Sequence, residues 1–192
     1  MSFIQSMNLS EANLLYLDTE FTDLLAPELL SLGMVSVDGD EHYVELDLDD
    51  PTSAETLAAA SEFALHCGVL EQWGRVSHST VSRPAMGERT ARWVLQQAAR
   101  FSQPALIAFD YVPDFELLEY LLRDAGQWES VRDVVRPLNV AELASRFDGA
   151  LSAEAAYAAL RRRGLERHHA LADAHALRAA CITVFTGKRV HL

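Results

Sequence analysis

A chain of 192 residues with 49% hydrophobic content is enough for one domain with a sizeable core. No apolar stretch reaches the roughly 20 residues of a membrane-spanning helix, and the first ten residues carry no basic and apolar leader, so neither a membrane anchor nor a signal peptide is expected. The net charge of −12 argues against the general grip on polyanions that an excess of Lys and Arg supplies.

The charges are polarised along the chain. Eight acids and no Lys or Arg lie between Asp38 and Glu55. Five arginines accompany the single acid Glu88 between Gly74 and Arg100, and four arginines and two histidines accompany Glu166 between Arg161 and His169. These are either a basic face beside residues 161–169 or ordinary solvated helix faces. Cys67 and Cys181 are far apart and have no ligand pattern around them, which reads as reduced thiols in a cytoplasmic protein.

In chain order, Leu14-Leu15-Tyr16-Leu17 reads as a buried strand over 13–19, and Asp18 and Glu20 stand at its end. Side chains at i and i+2 of a strand share a face, so the pair is placed to grip one hard divalent cation. The plainer alternative is a strand emerging into a solvated turn. Glu28 to Val37 is a second strand, Asp38-Gly39-Asp40 a tight turn, and His42 to Leu48 an alternating edge strand. The three form an antiparallel meander. A helix is expected from Pro51-Thr52 to about His66, with Thr52 or Ser53 as N-cap and Glu55 behind it. Residues 67–85 are irregular, and Met86 to Arg100 is helical.

Pro104 to Phe109 is a short strand of parallel type, ending at Asp110. Pro113 suits the first position of a helix that runs to about Asp124, with Asp114 in its first turn. Val134 to Val140 is a further strand. Ser152 is the expected cap of a helix that Gly164 ends. A last helix spans about His169 to Thr186, preceded by His168 and carrying Asp173. Alternating strands and helices after residue 100 indicate an α/β fold, with a mixed five-stranded sheet flanked by helices.

Three segments carry chemistry. They are Asp18-Thr19-Glu20 after an apolar strand, Phe109-Asp110-Tyr111-Val112-Pro113-Asp114, and His168-His169-Ala170-Leu171-Ala172-Asp173 leading into a helix. In this order and spacing they resemble the three motifs of the DEDDh 3′→5′ exonucleases of the RNase H-like superfamily, the family of RNase T, oligoribonuclease and bacterial proofreading subunits. The resemblance covers about residues 13–186. It implies a single exonuclease domain over 1–192 with an RNase H-like sheet. It also implies two Mg²⁺ or Mn²⁺ ions held by Asp18, Glu20, Asp114 and Asp173, which suits hard cations that prefer oxygen ligands.

By the same resemblance Asp18 bridges the ions, Glu20 and Asp173 hold the one that activates water, and Asp114 supports the other. Asp114 is chosen over Asp110 because it starts a helix, where a carboxylate is favoured. Asp110 stands where many relatives carry Asn, and its role stays open. His168 is the family's loop histidine and general base, five residues before Asp173, whereas helical spacing alone would pair His169 with Asp173. Phe21 reads either as plain core or, because it follows the catalytic pair, as a candidate to stack on a terminal base. Arg83, with Trp73 and His78, lies in the irregular stretch, which is either a substrate-gripping loop or a plain connection.

The expected activity is hydrolysis of phosphodiesters from the 3′ end of single-stranded nucleic acid or short oligonucleotides, RNA favoured, releasing nucleoside 5′-monophosphates. The alternatives are a 3′→5′ DNA exonuclease in repair or proofreading and a catalytically silent nucleic-acid-binding module. A homodimer is expected, since relatives often lend basic residues across a subunit interface.

Overall fold

The computed structural model describes residues 13–66 and 68–187. Cys67 lies outside the described residues. Six strands, β1 (Leu14–Phe21), β2 (Leu29–Ser36), β3 (Glu41–Leu46), β4 (Thr80–Val81), β5 (Ala105–Phe109) and β6 (Val135–Asn139), form one sheet in the order β4-β3-β2-β1-β5-β6. The β1–β2 and β2–β3 pairs are antiparallel; β1–β5, β5–β6 and β3–β4 are parallel. The fold is therefore α/β with a mixed sheet. The helices are α1 (Ala54–Ala58), α2 (Glu62–His66), α3 (Arg83–Ala98), α4 (Val112–Asp124), α5 (Trp128–Val131), α6 (Ala141–Ala144), α7 (Phe147–Leu160) and α8 (Ala170–Thr186).

Strand β1 is central, and its alternation sets the layers. Leu15 and Leu17 enter a core with Met86 and Val94 of α3 and Leu117, Leu118 and Leu121 of α4. Leu14 and Tyr16 point the other way, towards Leu177 and Cys181 of α8. Each fully buried leucine contributes about 1.5–3 kcal/mol relative to exposure. Helix α8 lies on β1 and β2 and packs along α7. Its approach to the sheet is close. A Cβ at Gly33 would come within 2.4 Å of the backbone of Ala170 and Leu171, so only glycine lets the start of α8 sit there.

Four expectations need correction. The sheet has six strands rather than five. Strand β4 is two residues long and has no apolar pattern; the buried Glu45 carboxylate accepts hydrogen bonds from the Ser79 hydroxyl (3.1 Å) and the Thr80 hydroxyl (2.7 Å) beside it. The single helix to His66 is divided into α1 and α2, because the Ser61 N–H donates to the Thr22 carbonyl (2.8 Å) and the Ser61 hydroxyl oxygen accepts from Ala64 N–H (3.3 Å). Ser53 takes the N-cap position of α1 but makes no side-chain capping hydrogen bond; that bond is made one turn earlier, where Asp50 accepts from Thr52 N–H at 2.9 Å at the head of a 3-10 turn, Pro51–Ser53. Helix α7 begins at Phe147, and Ser152 is buried inside it; Gly149 in its first turn lies against the Leu143 and Ala144 backbone at the end of α6, where a Cβ would come within 3.1 Å.

Candidate metal centre

Strand alternation carries Asp18 and Glu20 onto the face already occupied by Leu14 and Tyr16, the face that α8 covers. The first turn of α8 brings Asp173 there. Parallel pairing of β5 with β1 ends the two strands side by side, so Asp110 and the first turn of α4, with Asp114, arrive at the same place. Two groups of potential ligands result: Asp18 with Asp110 and Asp114, and Glu20 with His168 and Asp173. Within each group the ligand atoms lie within 4.8 Å of one another.

The carboxylates are held by specific donors. The Thr19 hydroxyl donates to Asp114 Oδ1 at 2.6 Å. The Tyr157 hydroxyl donates to Asp173 Oδ1, and the His168 backbone N–H donates to Asp173 Oδ2 at 2.9 Å. Asp114 Oδ2 is buried without a hydrogen-bond partner among the described residues. An orphaned carboxylate oxygen beside two further carboxylates is costly unless a proton or a cation joins it. The carboxylate oxygens fit hard divalent cations such as Mg²⁺ or Mn²⁺, and the single imidazole, His168, stands beside them free to accept a proton.

Electrostatics point the same way. Desolvation, then repulsion from Asp173 and Asp114, holds the Asp18 carboxyl well above its ordinary range. Desolvation and the neighbouring Asp173 push Glu20 up to about 9. Asp114 rises to about 7 through desolvation, opposed by the Thr19 hydrogen bond. Desolvation also raises Asp173, against the hydrogen bonds from Tyr157 and His168, and it raises Asp110. Without a cation, burial and mutual repulsion favour the protonated forms of these groups; a bound cation would reverse that preference.

The two histidines part company. His168 sits in the left-handed region (φ 63°), with its ring edge-on to Phe63 at 5.2 Å, and lines the carboxylate cavity. His169 is buried, stacks on Tyr43 at 4.4 Å, and is lowered to about 4 by desolvation. The backbone turn at 168 sends consecutive side chains in different directions, so the pairing of His169 with Asp173 suggested by helical spacing is not what forms. Asp110 and Asp114 both face Asp18, so the second segment contributes two carboxylates where the sequence reading chose one.

Two cavities adjoin the centre. One of about 480 Å³ is lined by Asp18, Asp110, Asp173, His168, Tyr157 and Arg167. Another of about 600 Å³ opens beside Glu20 and is lined by Phe21, Leu24, Leu25, Phe63 and Val69. Phe21 is thus at the edge of the centre, its ring stacked on Tyr111 at 6.2 Å. Arg83 is not brought to the carboxylates. It pairs with Asp124 at 3.5 Å, lies 5.9 Å from the Tyr120 ring centre, and lines a separate cavity. Trp73 is a structural tie, donating to the Leu46 carbonyl at 3.1 Å. Four of the nine arginines in the basic stretches are tied up in ion pairs: Arg83 with Asp124, Arg100 with Asp38 and Asp40, Arg163 with Glu41, and Arg167 with Glu154. Thr19 and Tyr157 have no signal in the sequence, because their contacts reach across 95 and 16 residues.

No helix among the described residues is long and apolar enough to cross a membrane. No family model matches the chain, and a search of curated proteins finds no match.

Proposed function

We propose that the protein is a metal-dependent 3′→5′ exonuclease of RNase H-like fold, acting on single-stranded nucleic acid with RNA favoured. One observation carries this reading: Asp18, Glu20, Asp114, Asp173 and His168, drawn from three distant segments, converge on one partly open centre. The antiparallel meander β3-β2-β1 continuing through parallel β5 and β6 supports the fold assignment. When bound, two hard divalent cations supply Lewis-acid stabilisation to both ends of an in-line phosphoryl displacement.

The chain's own residues account for the rest. Asp18 groups with Asp110 and Asp114, and its carboxyl is also close enough to Asp173 and Glu20 of the other group to be repelled by them. His168, accessible and loop-borne, takes the proton of the attacking water as its oxygen bonds to phosphorus. The bond from phosphorus to the 3′-oxygen breaks, and that oxygen acquires a proton from solvent. The products are a nucleoside 5′-monophosphate and a strand one residue shorter. Phe21 and its apolar cavity offer a wall for a terminal base.

The test is incubation of 5′-labelled single-stranded RNA and DNA of one sequence with Mg²⁺, Mn²⁺ or EDTA, beside Asp18→Ala. A ladder shortening from the 3′ end, dependent on metal and absent in the variant, is expected, and the faster ladder identifies the sugar. No degradation with either metal would overturn the assignment; a retained gel shift would then indicate a binding module.

A further inference from the structure

The carboxylate of Asp173 is fixed at both oxygens. Tyr157 donates to Oδ1 from α7, and the His168 backbone donates to Oδ2 from the loop before α8. A carboxylate held by two donors from separate elements cannot rotate freely, so its remaining lone pairs keep one direction beside Glu20 and His168, whose ligand atoms lie within 4.8 Å of it. The Tyr157 ring is itself immobilised. It is buried among Val35, Leu160 and Leu171, and the Arg167 guanidinium lies over it at 4.1 Å. Arg167 is bound in turn by Glu154, also on α7. Because Arg167 precedes His168 directly, the same stack pins the left-handed loop that carries the imidazole.

We propose that Tyr157 is a positioning residue for the metal centre, orienting Asp173 through its hydroxyl and the His168 loop through the ring clamped by Arg167. This rests on the nuclease reading above. Partners of this kind, which touch a ligand rather than the metal, typically change metal affinity by about 10–100-fold when removed.

The experiment is Mn²⁺ binding to the full chain without nucleic acid, measured by calorimetry for wild type, Tyr157→Phe and Arg167→Met, with Tm of each in EDTA. Tyr157→Phe is expected to weaken Mn²⁺ binding by about 10–100-fold. Its Tm in EDTA is expected to stay within a few degrees of wild type, and excess Mn²⁺ should restore part of kcat. Arg167→Met keeps the hydroxyl and is expected to lose less affinity. Unchanged Mn²⁺ affinity in folded Tyr157→Phe would overturn the proposal alone. Equal losses in both variants would assign the effect to packing and overturn it too. A wild-type protein that binds no Mn²⁺ would overturn the nuclease reading, and the proposal with it.

Discussion

Replacing Asp18 by Asn should stabilise the metal-free protein and destabilise the metal-loaded one. The ligand oxygens of Asp18, Asp110 and Asp114 lie within 4.8 Å of one another. At an effective dielectric of about 20, each ionised pair at that distance repels by about 3 kcal/mol, so three pairs approach about 10 kcal/mol. That rivals the whole stability of a typical domain, about 5–15 kcal/mol. The metal-free fold avoids it by holding protons, as the raised Glu20 (about 9) and Asp114 (about 7) indicate.

Folded-state values raised above the unfolded ones mean that the folded state binds more protons. Stability in EDTA is therefore fully present below about pH 4 and is lost as pH rises towards 9. Asp18 is the member to change, because Asp114 and Asp173 accept hydrogen bonds that substitution would break. Since protonation already relieves part of the repulsion, the expected gain for Asp18→Asn at pH 8 is about 1–3 kcal/mol, or roughly 3–10 °C in Tm. At pH 4.5 the gain should shrink towards zero. Saturating Mg²⁺ should reverse the order, since ligand at about 100 times Kd adds about 2.7 kcal/mol to a protein that binds it. Thermal unfolding of both proteins in EDTA and in Mg²⁺, at pH 4.5 and 8, reads all four values. An Asp18→Asn variant no more stable than wild type in EDTA at pH 8 would refute the reasoning.

Other substitutions separate neighbouring roles. His168→Ala should lower kcat by about 10²–10⁴-fold with Mn²⁺ binding retained, and full activity would remove His168 as general base. His169→Phe should keep activity. The buried His169 is depressed to about 4, so its neutral form stabilises the fold above pH 6.5 and that stability is lost as pH falls from 6.5 to 4. The variant should gain on wild type across that window in pH-dependent melting, and parallel acid limbs would contradict this. Gly33→Ala forces a Cβ against the backbone at the start of α8 and should cost about 1–3 kcal/mol and weaken Mn²⁺ binding, with an unchanged Tm counting against the close approach. Glu41, lowered to about 2 chiefly by the Arg163 hydrogen bonds and also by His175, contributes stability above pH 4.5 that is lost as pH falls towards 2. Glu41→Gln should cost about 1–2 kcal/mol at pH 7 and nothing near pH 2, and an equal cost at both would show that the charge is irrelevant.

Much of the architecture was legible in the residues because it rests on local periodicity. The apolar run of β1, the Asp38-Gly39 turn, Pro113 opening α4 and Gly164 ending the segment after α7 each combine a pattern with a stereochemical reason. The carboxylates at the end of β1 stood out because charge at the end of a core strand is expensive. Other features depended on distance in space. Strand β4 exists because a buried Glu45 collects the Ser79 and Thr80 hydroxyls, and the break between α1 and α2 follows from a hydrogen bond to Thr22. Asp110 joined the centre because β5 ends beside β1, while Arg83 turned away to Asp124. Tyr157 reached Asp173 only because α7 packs along α8. Sequence alone determined which residues are candidates for the site and which side of β1 carries Asp18 and Glu20, since strand alternation is a local rule. Tertiary structure decided which of them meet and which donors orient them, because both depend on how separate elements pack.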